Sequence, residues 1–198
     1  LLVVDGAVEN IGEMHNLLHQ ITQQKEIPLV IVTRGFAEEV IATLRINFLN
    51  KRLNVLLVRV DSSAIEFANA FADLSVIAGK ECVTPLKGDR ISSVKLEDIP
   101  VVEEIVARDN YFSIINNPTA AGVSLHLKSL IERKPFLDVQ ELIDVLDKRI
   151  KSMMGSSVKI FIPASFDKTV KQTYKFEIDY CFKQLRACLN HGMIHKEI

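Results

Sequence analysis

The sequence predicts an α/β fold: a layered sheet with flanking helices, followed by one long C-terminal helix. Short runs rich in Val, Leu and Ile alternate with helix-period segments through the first third of its 198 residues. Such runs suit strands covered on both faces, the usual condition of a parallel sheet. Near the end, residues 166–191 repeat apolar side chains every three or four positions, as one long helix would.

The elements follow in order. Strands are expected at 1–4, 28–33 and 54–60. The first two are followed by helices over 10–24 (NIGEMHNLLHQITQQ) and 37–50 (AEEVIATLRINFLN), and the third by a helix over 63–78 that stops at Gly79. Asn10 and Glu13 have capping-box spacing. A short strand is expected at 81–84, then the turn-rich PLKGDR, then a β-pair from 101–107 and 111–116 with a tight turn over 108–110. Helices over 119–133 and 138–154, broken at Lys134-Pro135, read as an αα-hairpin. Asp138 and Glu141 repeat the capping-box spacing. One further strand, 158–162, precedes the long helix, whose stripe is Phe166, Val170, Tyr174, Ile178, Cys181, Leu185 and Cys188.

Composition narrows the function. A formal net charge of -1 gives no reason to expect nucleic acid or an anionic membrane as partner. No apolar run reaches the roughly 18 residues of a membrane span. Three cysteines, Cys82, Cys181 and Cys188, lack CxxC spacing and read as reduced thiols of a cytoplasmic-type compartment. The chain begins directly on a strand-like LLVVD, without a polar lead-in, and is expected to be a piece of a longer polypeptide.

The first two helices carry more apolar surface than one small core requires. On a helical wheel Met14, Leu17, Leu18, Ile21 and Ile11 share an arc of about 120°, with His15 just beyond it. In the second helix Val40, Ile41, Leu44 and Phe48 share an arc, while Ile46 and Leu49 fall outside it. Side by side, the two helices would leave an oily groove with a charged rim, suited to a segment bearing apolar side chains.

Other motifs are weaker. His15 and His19, like His191 and His195, lie four apart, but no third ligand accompanies either pair, so no metal site is expected. Gly79-Lys80 lacks the rest of a P-loop. Asp5 and Asp61 follow strands, where α/β enzymes place catalytic or phosphate-binding groups. They define an alternative: a Rossmann-like phosphate-handling enzyme, or a receiver-like domain.

The order of elements, together with LLVVDGAVENIGEMHNLL, IATLRINFL, KLEDI and GSSVKIFIPA, resembles group I (GroEL-type) chaperonins. The resemblance covers the apical domain, at 1–157, and the C-terminal half of the intermediate domain, at 158–198. It implies a divergent, phage-encoded member without the ATP-binding equatorial domain. It implies capture of non-native polypeptide, and of a co-chaperonin loop, at the positions matching His15, Leu18, Ile41, Arg45 and Ile46. ATP and Mg²⁺ would act in the parent protein, a ring of sister subunits, and this segment alone would hold no cofactor. Asp167 matches an acidic position that pairs between subunits, although a helix N-terminus explains an acid there equally well. The family's catalytic Asp falls at Tyr180, leaving Asp179 one residue early, about 100° around the helix. His15 and Arg45 stand where the family has Leu and Val. Asp61-Ser62-Ser63 replaces its Pro-Gly-Phe-Gly-Asp segment.

Overall fold

The three apolar runs of the first third pair as a parallel sheet: β1 (Leu2–Val8), β2 (Leu29–Phe36) and β3 (Val55–Arg59), in that spatial order. This computed structural model describes residues 1–23, 27–61, 64–108, 111–155, 160 and 162–192. The chain divides into two compact units, Leu1–Ser156 and Ser157–Ile198.

In the first unit, strand pleating sends alternate side chains to opposite faces of the sheet. Leu2, Val4, Leu29 and Ile31 face one way. They are covered by α1 (His15–Gln23) through Leu17 and Ile21, and by α2 (Glu38–Leu49) through Val40 and Leu44. Val3 and Val32 face the other way, onto Phe71 and Ala78 of α3 (Ala64–Ala78). With the strands in sequential order, right-handed crossovers put α1 and α2 on one face, and the chain must change direction to bring α3 to the other.

α1 begins later than its periodicity suggests, because Ile11–Met14 forms a 3₁₀ turn. The expected capping box is present: Gly12 N donates to Asn10 Oδ1 at 2.7 Å, and Asn10 N donates to Glu13 Oε1 at 3.2 Å. β1 runs four residues beyond the expected end at Val4, through a register shift between Val4 and Ala7. Asp5 and Gly6 therefore belong to a strand rather than to a loop after one.

The expected strand at 81–84 shrinks to a single parallel bridge, Val4 to Val83, with Val83 N on Val3 O and Asp5 N on Val83 O. Pro85 explains the stop, since it has no N–H to continue a ladder; it opens a 3₁₀ turn ending at Gly88, whose φ is 91°. The β-pair is antiparallel, β4 (Glu104–Arg108) with β5 (Tyr111–Ile115). It starts three residues later than expected, and Val101 is exposed. Ile105, Phe112 and Ile114 join the core on the α3 side.

α4 (Ala120–Arg133) and α5 (Gln140–Met153) form the expected hairpin through a 3₁₀ turn at Lys134–Phe136. Asp138 does not cap α5. It stands one residue before the cap, Val139, whose carbonyl takes Leu142 N and Ile143 N. Both helices are tied to α3 by a partly buried polar cluster around the buried Asp73. Arg149 donates to the two carboxylate oxygens of Asp73 at 3.0 and 2.7 Å and to Asn69 at 2.8 Å, and His126 Nε2 lies 2.8 Å from Asp73 Oδ1.

In the second unit, α6 (Lys168–His191) is the long helix. Of the strand expected at 158–162, residues 158, 159 and 161 lie outside the described residues, and 160 and 162 are not in a strand.

Candidate functional site

The side chains singled out on α1 and α2 can now be located. Inward positions are sealed: Met14, Val40 and Leu44 are buried beneath the helices. Outward positions are open: Ile41 is 44% exposed, Ile46 59% and Leu49 66%, with Arg45 exposed among them. Residues 41, 45 and 49 follow one i, i+4 row, and 46 and 49 an i, i+3 pair, so they share a patch of helix surface. Leu18, on α1, is half-buried against the same core that Leu44 seals. Ile41, Arg45 and Ile46 therefore come together on α2, and Leu18 flanks the same side of the sheet.

Two residues depart from the helical-wheel picture. Phe48, which shares an arc with Val40 and Leu44, is 53% exposed. It sits in the last turn, just before the Asn50 cap and Lys51, whose φ of 54° takes the chain away. Periodicity alone does not register that the helix end has left the sheet behind. His15 is exposed and lines a polar depression of about 510 Å³ with Asn16, His19, Gln20 and Lys95. Asn16 Nδ2 on Ser92 O and Leu96 N on Gln20 Oε1 fasten that flank of α1 to the 92–96 segment. His15 thus borders a surface the sequence reading did not separate from the α1–α2 side.

The two acids of the enzyme alternative have different surroundings. Asp5 is paired with Arg34, whose Nε and Nη2 both lie 2.6 Å from Asp5 Oδ1. The Arg34 guanidinium carbon also stands 5.1 Å from the Phe67 ring centroid and 5.9 Å from that of Phe71. An acid held this way locks β1 to β2 and seats the guanidinium on α3. Asp61 is exposed past the end of β3. Lys80, after Gly79, is engaged by the Asp98 carbonyl and carboxylate. Among the described residues no three His, Cys, Asp or Glu side chains cluster as a metal site would require.

On α6, Asp167 is the N-cap, its Oδ1 accepting from Val170 N at 2.8 Å. Asp179 lies mid-helix. The side chains of His191 and His195 lie outside the described residues. No described helix is long and apolar enough to cross a membrane.

Comparison with known proteins now bears on this geometry. No family model matches the chain. Over 195 residues, 98% of the chain, the sequence is 23% identical to chaperonin GroEL 1 of Prochlorococcus marinus (strain MIT 9313), covering 34% of that protein. The fold matches the crystal structure of the chaperonin gp146 from the bacteriophage EL 2 (Pseudomonas aeruginosa). The TM-score is 0.58 at 13% identity, over 77% of this chain and 31% of that one. In sequence and in fold the chain is similar to a segment of GroEL-type chaperonins, and a divergent one. It spans about a third of the length of the relatives it matches.

Proposed function

We propose that the chain is the client-capturing segment of a chaperonin. Unit 1 acts as the apical domain, and the second unit as part of the intermediate domain. The observation that carries this reading is the outward row of α2: Ile41, Ile46 and Leu49 are left open while Val40 and Leu44 satisfy the core. A helix sealed on one side and oily on the other, in a chaperonin fold, suits a surface that holds apolar side chains of non-native polypeptide. Leu18 and Arg45 would flank the captured segment, His15 would be reached only by a segment long enough to extend over α1 to the depression beside residues 92–95, and a co-chaperonin loop would compete for the same surface. Each captured Leu or Phe would contribute about 1.5–3 kcal/mol before ordering costs. Apolar contact is non-directional, so many sequences would be accepted.

In the parent protein, a cytoplasmic ring, ATP and Mg²⁺ bound on another domain would move this one and release the client. Asp167 would then lie at a boundary between sister subunits, and Asp179 would be the acid nearest the family's catalytic position.

The test is suppression of aggregation of a chemically unfolded protein. Ile41→Ser and Ile46→Ser are expected to abolish most of it without lowering the unfolding midpoint, because both side chains are open to solvent. Unchanged suppression by the double variant would overturn the reading.

A further inference from the structure

Among the described residues the sheet continues past β1 but not past β3. Beyond β1, Val83 occupies the next position. Beyond β3, no described residue pairs. In this parallel ladder Leu29 N bonds Asn54 O and Val60 N bonds Thr33 O, so residues 54, 56, 58 and 60 turn their backbone groups toward β2. The N–H and C=O groups of Val55, Leu57 and Arg59 therefore point outward. Sheet edges are commonly blunted by proline, inward charge or a covering loop; here the central outward residue is Leu57, and Leu56 beside it is 43% exposed.

The segment from α2 into β3 carries charge of one sign. Residues 40–60 contain Arg45, Lys51, Arg52 and Arg59 and no acid. All four are exposed, and among the described residues none pairs with a carboxylate. Glu38 and Glu39 open α2, and Asp61 follows β3 two positions after Arg59, so the acid-free stretch between them carries Arg45, Lys51 and Arg52.

We propose that the β3 edge takes an extended polypeptide segment as an added strand, and that the preferred segment alternates apolar with acidic residues. The proposal rests on the client capture above and specifies which clients are favoured. The backbone of the segment pairs with Val55, Leu57 and Arg59. Because side chains alternate faces along a strand, its apolar side chains continue the surface of Leu56 on one face and its acids all project to the other, where α2 lies. Its acids meet Arg45, Lys51 and Arg52.

The test is fluorescence anisotropy of the whole chain with a labelled eight-residue peptide of alternating valine and glutamate. Two comparison peptides have lysine in place of glutamate, or N-methyl groups on alternate amides. Strand addition predicts that each comparison peptide binds at least about tenfold more weakly. Arg52→Glu is expected to weaken the glutamate peptide about threefold to fivefold, with circular dichroism unchanged. Equal binding of the N-methylated peptide would overturn strand addition while leaving side-chain capture by α2 intact. So would absence of peptide binding by a chain that still suppresses aggregation. Equal competition by a short oligonucleotide would reduce the surface to generic anion attraction. Concentration-dependent self-association that excludes the peptide would make a second copy the occupant.

Discussion

Asp73 and Arg149 show how much one residue can hold. Both are largely buried, and each supplies the other's charge while Asn69 and His126 fill remaining positions. Removing one partner strands the other in a poorly solvating interior. Arg149→Met is expected to cost about 3–5 kcal/mol in urea unfolding, and the double change Asp73→Leu with Arg149→Met to recover most of it. His15 and Arg45 bear instead on selectivity. If they polarise the capture surface, His15→Leu with Arg45→Val will lower the ratio of acidic to neutral unfolded proteins bound, measured in paired binding assays; an unchanged ratio would remove both from that role. The sequence placed Asp5 after a strand, where catalytic acids sit, and could not register that Arg34, twenty-nine residues on, would neutralise it. That pairing is tertiary and has no local signature.

Among the elements, helix starts and stops were legible where short-range chemistry sets them. The Asn10–Glu13 box formed because both partners lie within one turn. The end of α3 at Gly79 has a tertiary component that spacing did not disclose. With φ at 76°, a Cβ there would stand 2.7 Å from Thr119 Cγ2, and Thr119 Oγ1 and Asn116 Nδ2 both donate to Ile77 O. Gly79→Ala is expected to destabilise the chain by about 1–3 kcal/mol, read as a lowered unfolding midpoint. The Asp138 cap failed because spacing was right but register was off by one. The short strand at 81–84 failed because Pro85 cut its ladder. The open row of α2 was partly legible: Ile46 and Leu49 stood out from the apolar arc and Ile41 was among the expected capture positions, but the exposure of Phe48 depends on where the sheet ends beneath the helix.

At the scale of the molecule, alternation of strand and helix was enough to give the parallel sheet and its two covered faces. It did not specify which helices share a face; strand order does. Unit 1 carries both core clusters, so a chain ending at Ser156 is expected to unfold in one cooperative transition by circular dichroism. A broad or multistep transition would show that the two faces of the sheet do not form one folding unit. The cluster around Asp73 has a mechanical corollary. It rivets the α4–α5 hairpin to α3, and Phe71 of α3 is wedged against β1 and β2. A close-packed interior hardly compresses, so a pull on α5 arrives at the sheet as displacement of a stiff block. The outward row of α2, on the far side of that block, would be re-aimed as a whole rather than bent out of shape.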